Sequence, residues 1–200
     1  MILWSLPLLP ALLGALLGPS GACIAEAHGT RRRVFLGAFA ALGLTGLIVL
    51  AANAALASPA TTLRWGPGLS LSLRMAPEVA VIGVLVPAIA MPVVVWAAAH
   101  EALRGLSRLI GLLVAFVGAM ELLVLAADLL TLTIGWELVS GISWALIAHR
   151  WRDDDATAAA SYAFDATRLG GLGLWVAAGV TFSVTGGFGF DGLIEVARGP

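Results

Sequence analysis

Four ionisable residues stand inside otherwise apolar stretches of this sequence: Glu121, Glu137, Asp165 and Arg168. An ionisable side chain at the centre of a bilayer costs at least about 2.5–3.5 kcal/mol, so each of the four needs a reason. Carboxyls and a guanidinium in such a setting can relay protons, or can form a fixed ion pair that ties helices together. Glu137 is the sharpest case. It follows Asp128 by nine residues, which on a helix is about 13 Å and reaches the bilayer midplane. Ser140, Gly141 and Trp144 stand at i+3, i+4 and i+7 from it and share its face. A polar stripe of small residues usually turns toward other helices, not lipid. Desolvation favours the neutral carboxyl and a nearby cation favours the anion, and a proton carrier needs these two in balance. The same position also suits a buried glutamate held in a permanent ion pair.

Arg168 lies twelve residues into the last apolar stretch. Two partners are open to it: Asp165 at i−3 on its own helix, or Glu137 across a bundle. Arginine keeps its proton through any physiological cycle, so Arg168 would tune the proton affinity of a neighbour and carry no proton itself. Glu121 stands near the outer end of the fourth stretch, where it either reaches the interface or lines a polar passage. His149, at the inner end of the fifth, has the ordinary titration range for proton uptake and equally suits an interfacial residue.

The elements that position these residues follow from composition. The 200 residues are 60% hydrophobic and 12% charged, against roughly 25% charged in an average soluble domain. With a mean hydropathy of +0.99, too few charges exist to coat a globular surface. A soluble enzyme, a disordered tail and a nucleic-acid module are thereby excluded. The net charge of −1 supplies no basic field for phosphates. A single cysteine, Cys23, rules out a disulfide framework or multi-cysteine metal site. The histidines His28, His100 and His149 show no metal-ligand spacing, so neither metal nor cofactor is expected.

A hydrocarbon core of about 30 Å takes roughly 20 apolar helical residues. Six stretches qualify, near Ile2–Leu17, Val34–Ala57, Pro77–Ala99, Leu109–Ala127, Leu129–Ala148 and Ala156–Phe182. The expected fold class is thus all-α, a polytopic membrane helix bundle of about six transmembrane helices. It divides into residues 1–100 with three spans and residues 101–200 with three more. Pro87 and Pro92 should bend the third span, with neighbouring helices satisfying the freed carbonyls. In the loop 58–76, Leu69–Arg74 alternates apolar and polar residues after the turn signal Gly66-Pro67-Gly68, which predicts a short hairpin. Asp153, Asp154 and Asp155 should cap the sixth helix at its positive end, not bind metal. With the N terminus extracytoplasmic, Arg31, Arg32, Arg33, Arg104, Arg108, Arg150 and Arg152 fall inside. Arg64, Arg74 and Arg198 then fall outside, in keeping with the positive-inside rule. The expected location is the cell membrane, with the hairpin on the outer side.

The stretch Asp128–Ile147, DLLTLTIGWELVSGISWALI, resembles the core signature of the antiporter-like membrane subunits of respiratory complex I. Related subunits occur in multi-subunit sodium/proton antiporters and membrane-bound hydrogenases. Three further pieces agree in order and spacing: Ser107-Arg108, Ala163-Phe164 with Thr167-Arg168-Leu169-Gly170, and Thr185-Gly186 through Phe190-Asp191. Together they cover Arg104–Glu195. The flanking Gly135-Trp136 and Ser143–Ile147 fit the large subunit, L or chain 5, and Trp-Glu-Leu-Val-Ser is also similar to the sodium/proton antiporter branch.

The resemblance implies that Glu137 takes part in proton translocation and that Arg168 is the arginine of the following helix. It implies other membrane subunits of a respiratory or antiporter complex as partners, protons or sodium ions as the transported species, and no redox centre in this chain. NADH or quinone chemistry would belong to partner subunits. The leading reading is a proton-translocating subunit of an NADH:quinone oxidoreductase-type complex; the second is a subunit of a multi-subunit sodium/proton antiporter with no link to electron transfer, and the third a truncated, non-conducting scaffold. Family members often carry an aspartate where this sequence has Gly171, and the nearest acid here is Asp165, about 9 Å away along the axis. They also continue further and use lysines on later helices, whereas all eleven basic residues here are arginine. The expectation is the acidic half of a glutamate–lysine relay, as the N-terminal portion of a longer or split subunit or as a remnant.

Overall fold

Helices occupy all six of the apolar stretches in a computed structural model that describes residues 2–20 and 29–198. In chain order the elements are α1 (Ile2–Ser20), α2 (Gly29–Ala57), β1 (Ala60–Gly66), β2 (Leu69–Arg74), α3 (Pro77–His100), α4 (Leu106–Val124), α5 (Leu129–Ile147), α6 (Asp154–Thr185) and α7 (Phe190–Arg198). The architecture is an all-α bundle with a single hairpin, as the hydropathy pattern requires. Among the described residues, four helices are long and apolar enough to cross a bilayer: α2, α3, α4, and α5 with its 3₁₀ extension to Arg150. The apolar part of α1 is shorter, Leu3–Leu17. The 32 residues of α6 carry Asp154, Asp155, Asp165 and Arg168, which dilute its hydropathy. Cys23 and His28 lie outside the described residues.

Local chemistry sets the boundaries. Pro77 opens α3 at a position where its missing N–H costs nothing, and the helix continues through Pro87 and Pro92 as one 24-residue element. Asp128 is the N-cap of α5, its carboxylate accepting the Thr131 N–H at 2.7 Å. Asp153 caps α6 by accepting from Asp155 and Ala156, with Asp154 and Asp155 in the first turn against the positive helix end. The fourth helix ends at Val124 and not at the expected Ala127. The reason is that Leu125 and Ala127 leave the helix to bond with β2: Arg74 N–H donates to Leu125 O, and Ala127 N–H to Ser72 O, both at 2.8 Å.

α1 packs on α4, α2 on α3, α4 on α5 and α5 on α6. Glycines allow the closest approach: a Cβ on Gly118 of α4 would lie 2.5 Å from Pro7 O and 2.9 Å from Ala11 N of α1. Leu3, Leu6, Leu44, Val94, Ile110 and Val114 fill the core between these helices. Large apolar side chains such as Leu42, Leu56, Val81 and Leu169 cover the outer surface instead.

The two ends of the bundle differ. At one end β1 pairs antiparallel with β2, in register from Ala60↔Arg74 to Gly66↔Leu69 with an irregularity between Arg64 and Gly66. Ser72 N–H donates to Thr131 Oγ1 at 2.9 Å, and Leu129 N–H to Phe188 O at 2.8 Å. The hairpin, the α4–α5 link and the α6–α7 link are thereby sewn together. At the opposite end Arg33 donates to Ala98 O and Ala99 O, Arg32 to Ser107 Oγ and Arg108 to His149 O. Arg104, Arg150 and Arg152 join Arg32 and Arg108 around a cavity of about 650 Å³ there.

Candidate functional site

The α5–α6 contact brings Glu137 and Arg168 together. Arg168 Nη1 lies 2.6 Å from Glu137 Oε2, and Trp175 Nε1 donates to Glu137 Oε1 at 3.3 Å. Both carboxylate oxygens therefore face a donor from α6. The Glu137 side chain is 20% exposed and that of Arg168 is 52% exposed, so the carboxylate sits within the helix pair while the guanidinium lies at its edge. The Arg168 guanidinium also stacks 4.8 Å from the centre of the Phe164 ring, a cation–π contact. Phe164 in turn meets Trp144 of α5 at 6.1 Å.

Two glycines make room for this arrangement. A Cβ on Gly171 would lie 2.9 Å from Glu137 Oε1 and 3.4 Å from Trp136 Nε1, and one on Gly170 would lie 3.6 Å from the Trp136 ring. The Glu137 carboxylate occupies space that any side chain at position 171 would claim. Trp136 Nε1 reaches Thr167 O at 3.4 Å and fixes the same helix pair one residue away.

Of the two partners open to Arg168, the structure takes Glu137 and not Asp165. Asp165 is exposed and forms no ion pair; among the described residues the ion pairs are Arg74–Glu78 and Arg168–Glu137. The reason is rotational: Arg168 projects toward α5, and Asp165 stands outside that contact. The stripe on the Glu137 face is only partly covered. Ser140 is buried and donates to Trp136 O at 2.8 Å, the Cβ direction of Gly141 is open, and Trp144 is exposed. Glu121 departs from both readings given to it, because it is fully buried and neither of its oxygens has a hydrogen-bond partner. His149 stands at the arginine-lined end, in the 3₁₀ turn after α5. The places of Trp175 and Gly171 beside Glu137 escaped the sequence reading. Their signal was present, since 168, 171 and 175 are spaced i, i+3 and i+7 and share one face of α6.

The comparisons with known proteins agree with one another. Residues 126–199 match the family described as NADH:quinone oxidoreductase/Mrp antiporter, transmembrane. A probable K(+)/H(+) antiporter subunit of Rhizobium meliloti (strain 1021) is 30% identical over 133 residues, 65% of this chain and 13% of that protein. NADH-quinone oxidoreductase subunit L of Escherichia coli (strain K12) is 34% identical over 127 residues, 64% of this chain and 20% of that protein. A chain of the Mrp complex from Dietzia sp. DQ12-45-1b superposes with a TM-score of 0.72 at 25% identity, over 94% of this chain and 20% of that one. The chain thus spans a fifth or less of the length of these relatives. The stretch that carries Glu137 and Arg168 is similar to the NADH:quinone oxidoreductase/Mrp antiporter transmembrane family.

Proposed function

We propose that this chain is part of a proton-translocating, antiporter-like membrane subunit of an NADH:quinone oxidoreductase-type complex, in which Glu137 relays the proton and Arg168 is its counter-charge. The observation that carries this reading is the 2.6 Å Arg168–Glu137 pair with Trp175 on the second oxygen. A cation on one oxygen and an N–H donor on the other are the contacts that a carboxylate needs in a medium of low dielectric. Movement of the half-exposed guanidinium away from Glu137 removes that support and favours proton capture. Its return favours release, because Arg168 stays charged throughout. Arg168 is the more exposed of the two, 52% against 20% for Glu137, and is therefore the partner assigned the movement.

The 200 residues contain no lysine, so the basic half of a glutamate–lysine relay belongs to residues beyond these or to partner membrane subunits. Electron transfer likewise belongs to partners. The arginine-rich end is assigned to the cytoplasm and the hairpin end, with the N terminus, to the outside. In the intact complex, Glu137→Gln is expected to abolish most proton pumping while leaving assembly unchanged. Unchanged pumping would sink the relay and leave a scaffold.

A second reading, membership of a multi-subunit cation/proton antiporter without electron transfer, is favoured by the likeness to the Mrp complex and to the K(+)/H(+) antiporter protein. Cation-driven proton flux in vesicles without NADH separates it from the first.

A further inference from the structure

Glu121 takes no part in the Glu137–Arg168 site, yet among the described residues it is the most completely buried charge-bearing one. It has no exposed surface, and neither carboxyl oxygen has a hydrogen-bond partner. A carboxylate in that condition has given up water and received nothing in exchange, which an apolar interior does not sustain. Buried polar atoms left unsatisfied in a native fold call for a ligand or a catalytic explanation.

Among the described residues, no cation is supplied by the elements packed on α4. In α1 no titratable side chain occurs between Leu3 and Leu17. Arg31, Arg32 and Arg33 stand at the start of α2, and Glu78 and His100 at the two ends of α3. On α5, Glu137 faces α6 and Asp128 is engaged as the helix cap. On β2, Arg74 pairs with Glu78 at 3.5 Å. None of these bonds to Glu121.

The carboxyl borders a glycine notch, and a cavity lies close by at the hairpin end. Glu121 Oε2 lies 3.8 Å from where a Cβ of Gly83 would stand, and Met75 Cε and Sδ lie 3.3 and 3.5 Å from the same point. Glycine thus leaves a notch in α3 that Glu121 and the flexible Met75 share. One helical turn toward the hairpin, Val79 and Val124 line a cavity of about 260 Å³ whose wall also carries Arg74, Glu78 and Asp191. Its wall includes Ala76, next to Met75.

We propose that Glu121 is a second proton-binding site, a carboxyl that exchanges its proton with water through the hairpin-end cavity. The step is one proton transfer: hydronium gives a proton to a carboxylate oxygen to form the neutral acid and water, and the reverse releases it. The site does not depend on Glu137 moving protons. Infrared difference spectroscopy of the full chain in lipid, with H2O exchanged for D2O, tests it. The expected result is a protonated-carboxyl C=O band that shifts in D2O, is lost entirely in Glu121→Gln and persists in Glu137→Gln. The Gln variant keeps side-chain shape, and an unchanged amide I band checks its fold. No such band in the wild type would overturn the proposal. So would a band that never shifts in D2O, since that is a sealed structural acid.

Discussion

Arg168 is held by a carboxylate on one side and a phenyl ring on the other, and these contacts ask different things of it. The Glu137 contact needs a positive charge, whereas stacking on Phe164 needs a flat, weakly hydrated cation, which lysine does not supply. Arg168→Lys is therefore expected to keep part of the transport rate and Arg168→Ala to lose most of it. Thermal unfolding in detergent should show Arg168→Ala destabilised by about 1–2 kcal/mol, the low end for a charged hydrogen bond because the guanidinium is half-exposed. Equal transport in the two variants would mean that charge at 168 is irrelevant. Position 171 explains why the pair is direct. With glycine there, the Glu137 carboxylate fills the space beside α6, and Asp165 stands outside that contact.

The helix ends are built by short-range chemistry that the sequence displays openly. Asp128 and Asp153 both cap, but in different surroundings: Asp128 is 3% exposed and Asp153 lies in an exposed turn. Asp128 also stands where the hairpin, α5 and the Phe188–Gly189 segment meet. Asp128→Ala is accordingly expected to cost about 1–2 kcal/mol and Asp153→Ala nearer 0.5 kcal/mol, within the range for N-caps. Denaturation midpoints of the two variants check this, and Asp128→Asn, which retains the capping oxygen, should recover most of the loss. The hairpin was legible from Leu69–Arg74 and its turn because alternation and glycine are local signals. Its bonds to Leu125 and Ala127, which shorten α4, were not. They depend on which segment the hairpin lands on.

Across the whole molecule, charge separates to the two ends of the bundle. Seven arginines from three distant segments of the sequence gather at the end opposite the hairpin. In a Cys23→Ser background, Ser70→Cys in the hairpin and Asp154→Cys at the start of α6 should react with a membrane-impermeant thiol reagent from opposite faces, Ser70→Cys from outside. Labelling of both from one face contradicts the proposed topology. The sequence alone determined the class, the placement of the helices, their caps and the identity of the charged residues inside them. Hydropathy, capping and turn chemistry are set by residues a few positions apart, so they can be read without a fold. Only the tertiary structure decided that Arg168 turns to Glu137, that Gly171 and Trp175 border the same carboxylate, and that Glu121 is enclosed without a partner. Those facts depend on how each helix is rotated against its neighbours, which is settled by packing across the bundle.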